Sequence, residues 1–128
     1  LEAQPIFQGM FIDQKEQIDA FQETYEEALS QRFHTIRSQP ILFEILPKCV
    51  NKATGLKALA EHLGIPREQI MAIGDENNDI EMIEYAGLGV AMGNAPDAIK
   101  ALADVTTTSN EEDGVATAIK RYVLQAQN

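Results

Sequence analysis

The run Ile70-Met71-Ala72-Ile73-Gly74-Asp75-Glu76-Asn77-Asn78-Asp79 concentrates the chemistry of this chain. An apolar stretch ends in glycine and opens at once into carboxylates and amides. Oxygen-rich side chains of this kind suit a hard cation such as Mg2+. At the carboxyl end of a strand in an open α/β sheet they would stand where ligands bind, and the glycine would let the backbone turn sharply there. Helix capping accounts for one acid or amide at a helix start. Asp75, Glu76, Asn77, Asn78 and Asp79 together exceed that need.

Lys52 is the second candidate. It opens a helical pattern, where a cation works against the helix dipole. With the free N–H groups of that terminus it is suited to meet an anion. Beside the acidic run, it points to a phosphate-like group held between a lysine and a metal ion. Gly93-Asn94-Ala95-Pro96-Asp97 is a loop expected at the same crevice, with Asn94 shaping the site and Asp97 capping a helix. His34, His62 and Cys49 read as structural. His62 falls on the polar side of its helix, His34 lies in a strand far from the acidic run, and nothing near Cys49 is built to depress a thiol pKa.

The elements that must position these residues fall into two parts. In the first, 1–47, the pattern predicts a strand over 6–12 and a helix over 13–31 with Ile18, Phe21, Tyr25, Ala28 and Leu29 on one face. Strands over 33–37 and 41–46 follow, joined by a turn at Ser38-Gln39-Pro40. In the second part, 48–128, helix and strand alternate. Helices are predicted over 52–63, 77–85 and 96–102, and strands over 69–73, 88–92 and 103–106. Gly64 and Pro66 end the first helix, and Pro96 lies in the first turn of the third. Ser109 and Glu112 have capping-box spacing before a last helix with Val115, Ile119, Tyr122 and Val123 on one face. Such alternation implies an α/β fold, a parallel sheet with helices on both sides.

Composition narrows the partners. A length of 128 residues suits one domain, or one and a fraction. The start Leu1-Glu2-Ala3-Gln4-Pro5 has no signal pattern, no apolar run reaches the length of a membrane span, and the single cysteine rules out an internal disulfide. A cytoplasmic protein is expected, and the missing initial Met suggests processing or a piece of a longer chain. The net charge of -10 argues against nucleic acid or an anionic membrane as partner.

Val50-Asn51-Lys52-Ala53-Thr54-Gly55-Leu56, Ile73 to Asp79, Gly89-Val90-Ala91-Met92-Gly93-Asn94-Ala95 and Asn110-Glu111-Glu112-Asp113-Gly114-Val115-Ala116 resemble, in this order, the Cof-type branch of the haloacid dehalogenase superfamily, and within it the bacterial sugar phosphatases. The resemblance implies the C-terminal half of a three-layer, Rossmann-like core over 48–128, preceded over 1–47 by the tail of an α+β cap. It implies a Mg2+-dependent phosphomonoester hydrolase of small phosphorylated metabolites, working through an aspartyl-phosphate. On this match Asp75 is a metal ligand and Asn78 hydrogen-bonds phosphate. Lys52 binds phosphate and steadies developing charge, and Asp79 acts on metal-bound water or holds the loop, counting as a second acid at the metal. Ala53 replaces the glycine usual after the lysine, a change a helical backbone tolerates. The family's nucleophile motif, Asp-x-Asp-Gly-Thr, does not occur, and Asp13 and Asp19 have the wrong neighbours. The isolated chain is therefore expected to be inactive, and to self-associate or pair with a missing N-terminal half through its open sheet edge. Two other readings remain: a non-catalytic phosphate- and metal-binding module, and a phosphoacceptor receiver domain. The receiver would place its acids before its lysine, the reverse of the order here.

Overall fold

The computed structural model describes residues 7–125, and the chain divides into two compact units, one ending at Asn51 and the other beginning at Lys52. In the first unit, β1 (Gly9–Ile12) is followed by α1 (Lys15–Ser30), β2 (Phe33–Gln39) and β3 (Leu42–Pro47). The strands form an antiparallel sheet in the order β1-β3-β2. The strand expected over 6–12 is limited to β1, and Ile6 lies outside the described residues.

Phe43 of β3 is fully buried, with the Phe21 ring of α1 at 5.6 Å, and Ile18 of α1 is buried as well. The helical stripe is narrower than its periodicity suggested. Tyr25 stays half exposed and lays its ring on Phe21 at 5.0 Å, and Ala28 is exposed. The turn also moves: β2 runs through Ser38 and Gln39 with a register shift after Arg37, and the reversal falls on Pro40 and Ile41. Proline has no N–H to give a ladder, so the pairing stops there and not earlier. The Arg37 guanidinium fixes this bulged end to α1. It donates to the carbonyls of Gln39 and Pro40, to Gln22 Oε1 at 3.1 Å and to Asp19 Oδ1 at 2.8 Å.

The second unit carries α2 (Lys52–Leu63), β4 (Met71–Gly74), α3 (Ile80–Tyr85), β5 (Leu88–Ala91), α4 (Asp97–Leu102), β6 (Val105–Thr106) and α5 (Gly114–Ile119), which runs on into a π-helical turn, Lys120–Leu124. The strands are parallel, in the order β4-β5-β6. The bounds of α2 are those of the sequence pattern, and Gly64, in the left-handed region at φ 67°, ends it. Elsewhere the ends shift. Gln69 closes a 3-10 turn, so β4 starts at Met71. The helix expected from Asn77 opens as a 3-10 turn, Asn77–Asp79, and Pro96 caps α4 from outside.

The twofold period of a strand separates the faces of this sheet. Ala91 packs with Ile83 of α3 and with Ala95 and Ile99, and on the same face Gly89 lies under the Ile83 carbonyl. Leu88 faces the other way, near Tyr122 and Val123, and the Met92 methyl lies against Gly114. Helices therefore cover both faces, as the alternation implied. The last helix, however, is seated by another edge than the one expected. Gly114 and Ala118 are buried, while Val115, Ile119 and Val123 stay 48%, 39% and 40% exposed. A Cβ at Gly114 would come within 2.1 Å of the Thr108 carbonyl oxygen, so close backbone approach, not bulk, anchors α5. Val115→Ser is accordingly expected to change stability by less than about 0.5 kcal/mol. A urea midpoint shift equivalent to several times that would mean the side chain is buried after all. No helix among the described residues is long and apolar enough to cross a membrane.

Candidate functional site

β4 delivers Gly74 to its carboxyl end, and the chain then passes through Asp75 and Glu76 into the Asn77–Asp79 turn. That turn folds the Asp79 side chain back over the strand tip. Its Oδ2 accepts the N–H groups of Asp75 at 3.0 Å and Glu76 at 3.2 Å. Its Oδ1 is ion-paired with Lys52 Nζ, at the start of α2. The same ammonium donates to Asn78 Oδ1 at 3.4 Å. Lys52, far away in sequence, thus meets the adjacent pair Asn78 and Asp79 at one point.

Gly74 sits here for a reason other than the sharp turn expected of it. Among the described glycines only Gly64 has a positive φ. At Gly74 a Cβ would fall 2.4 Å from Asp79 Cβ and 2.7 Å from Asp79 Oδ2. The missing side chain makes room for the carboxylate.

Asp79 is 5% exposed, and it stays ionised. Burial pushes its pKa up. The hydrogen bond from Lys52, those from the Asp75 and Glu76 N–H groups, and the lysine's charge outweigh this and bring it below the ordinary value. The Lys52 side chain remains 49% exposed while its ammonium is tied to Asp79 and Asn78.

Asp75 is held from a different direction. Its Oδ2 accepts from Asn94 Nδ2 at 2.7 Å, and Asn94 Oδ1 in turn accepts the Asn110 N–H at 3.0 Å. The loop after β5 therefore does border the site. Asp97 is the first residue of α4 and not its cap, a position that Pro96 takes. His34 lies in β2, and His62 is an exposed residue of the last turn of α2. Glu112 takes the capping-box role, accepting from the Ser109 N–H at 3.3 Å and its hydroxyl at 2.8 Å.

The donor set fits Mg2+ in kind: hard oxygens from the Asp75 carboxylate and the adjacent amides. Mg2+ normally takes one or two carboxylates and keeps several waters. No three His, Cys, Asp or Glu side chains among the described residues are placed to share an ion. What pattern reading did not reveal was the Asn94–Asn110 link, because an amide and a backbone N–H far apart in sequence carry no spacing signal.

A family model described as haloacid dehalogenase-like hydrolase matches residues 1–119. The chain is similar to the 5-amino-6-(5-phospho-D-ribitylamino)uracil phosphatase YitU of Bacillus subtilis, 54% identical over 63% of this chain and 30% of that protein. It is similar to the chloroplastic endoribonuclease YBEY of Arabidopsis thaliana, 44% identical over 90% of this chain and 20% of that protein. Among solved structures it resembles the HAD subclass IIB sugar phosphatase BT4131, 31% identical with a TM-score of 0.76, covering 93% of this chain and 44% of that one. The chain thus spans less than half the length of each of these proteins.

Proposed function

The chain belongs to the haloacid dehalogenase-like hydrolases, and we propose that it forms the lysine and acidic-loop half of a phosphomonoester hydrolase that acts on small phosphorylated metabolites, sugar phosphates among them. The carrying observation is Lys52, whose side chain is half exposed and whose ammonium is ion-paired to the buried Asp79 and lies 3.4 Å from Asn78 Oδ1. In this reading Lys52 meets the phosphate oxygens. Asn78 adds a neutral hydrogen bond, and Asp79 keeps the lysine charged and aimed. Of the two roles open to Asp79, holding the loop is favoured, because both its oxygens already accept hydrogen bonds. Asp75 would hold Mg2+ at the strand tip, and the ion would offset repulsion between an anionic nucleophile and an anionic phosphate. The sugar phosphatase and the phosphorylated-pyrimidine phosphatase among the similar proteins support the substrate class. The net charge of -10 argues against a nucleic-acid substrate, and a small anion would be met locally by Lys52 and the metal.

The nucleophile is expected outside these 128 residues, because the family's Asp-x-Asp-Gly-Thr motif does not occur in them. We therefore expect two results. Inorganic phosphate should shift the NMR signals of the Lys52 side chain and the Asn78 amide, and Lys52→Ala should abolish the effect. The chain alone should leave p-nitrophenyl phosphate intact in Mg2+. Absence of any phosphate-dependent shift would sink the phosphate site. Robust Mg2+-dependent turnover lost in Asp75→Ala would sink the inactivity.

A further inference from the structure

We infer that Asn94 is the positioning residue that sets the direction of the Asp75 carboxylate, with the backbone N–H of Asn110 as its anchor; the consequence for metal binding rests on the reading of Asp75 given above. The amide of Asn94 is committed at both ends. Its Nδ2 donates to Asp75 Oδ2 at 2.7 Å, and its Oδ1 accepts the Asn110 N–H at 3.0 Å. A carboxylate can only accept and a backbone N–H can only donate, so the two partners allow one orientation of the amide. The bond to Asp75 is charge-assisted and short, the stronger class.

The anchor is itself well held. Asn110 opens the 3-10 turn Asn110–Glu112, whose capping box ties Glu112 to Ser109. Gly93, next to Asn94, donates its N–H to the Thr108 carbonyl at 3.0 Å. The loop after β5 and the segment after β6 are thereby clipped together, and Asn94 projects from that clip onto Asp75. Asp75 stands on the first residue past β4 with no helix of its own to fix its rotamer. Asn94 supplies the fixed point. One carboxylate oxygen is turned to the amide, which sets where the other is presented. Loss of an outer partner of this kind typically costs roughly ten- to a hundredfold in metal affinity.

The test uses three-bond couplings that report the Asp75 χ1 rotamer in the 128-residue chain, together with Mn2+ as a paramagnetic probe of binding. In the wild type Asp75 is expected in one rotamer. Asn94→Ala is expected to average it and to weaken Mn2+ binding about tenfold. Asn110→Ala, which keeps the backbone N–H, is expected to change neither. A single unaltered Asp75 rotamer in Asn94→Ala, or an already averaged rotamer in the wild type, would overturn the inference; the second result stands even if the variant fails to fold. Mn2+ binding untouched by Asp75→Asn would instead overturn the metal role of Asp75, and the rotamer comparison would still decide the role of Asn94.

Discussion

Asp79→Ala is expected to cost the second unit about 2–3 kcal/mol. The carboxylate is 5% exposed, and it satisfies the N–H groups of Asp75 and Glu76 as well as Lys52. Truncation leaves the two N–H groups without their acceptor. Lys52 is half exposed and recovers water, which keeps the loss below that of a fully buried pair. Asp79→Asn, which keeps the volume and one acceptor oxygen, should be milder. Urea unfolding followed by circular dichroism measures both, and no change in midpoint for the alanine variant would show that the carboxylate is not structural.

The same residue sets a dependence on acid. Its folded pKa lies below the ordinary value. The stabilisation is therefore complete above the unfolded pKa of about 3.9. It disappears as pH falls through the lower folded value, because below both values the two states bind the same proton. The stability gap between wild type and Asp79→Ala should be constant near neutrality and should shrink below about pH 4. A gap that widens in acid would contradict the ionised, lysine-paired state.

Gly74→Ala is expected to cost about 2 kcal/mol through overpacking. The new methyl group would fall 2.4 Å from Asp79 Cβ and 2.6 Å from Cγ. Relief requires Asp79 to move, and with it the Lys52 pair, so phosphate binding should weaken along with stability. The cause can be isolated. In an Asp79→Gly background the colliding side chain is gone, and alanine at position 74 should cost less by about 1 kcal/mol or more, a coupling characteristic of residues in contact. Additive costs would show that the glycine is needed for something other than room.

Much of the fold was legible because it is written locally. The bounds of α2 follow from periodicity and a left-handed Gly64, despite the internal Gly55. Strand ends were less legible. Gln69 and Ser38 belong to either side of a boundary on propensity alone; a 3-10 turn takes Gln69, and pairing of Gln39 with Leu42 carries β2 past Ser38. The closest contact of α5 was not legible for a related reason. Val115, Ile119 and Val123 form a good apolar stripe, yet the contact is made where Gly114 lets two backbones touch.

The sequence by itself determined which chemistry could be assembled: Lys52, Asp75, Asn78 and Asp79 at strand and helix ends, within an alternating α/β pattern whose motifs resemble one hydrolase family. Only the tertiary structure decided how those residues divide the work. Asp79 is committed to Lys52 and the loop N–H groups, Gly74 is the space it occupies, and Asn94 holds Asp75. The reason is range. Periodicity and helix-end chemistry act over a few residues and can be read along the chain. A hydrogen bond between loops exists only once β4, β5 and β6 lie side by side and bring their carboxyl ends together.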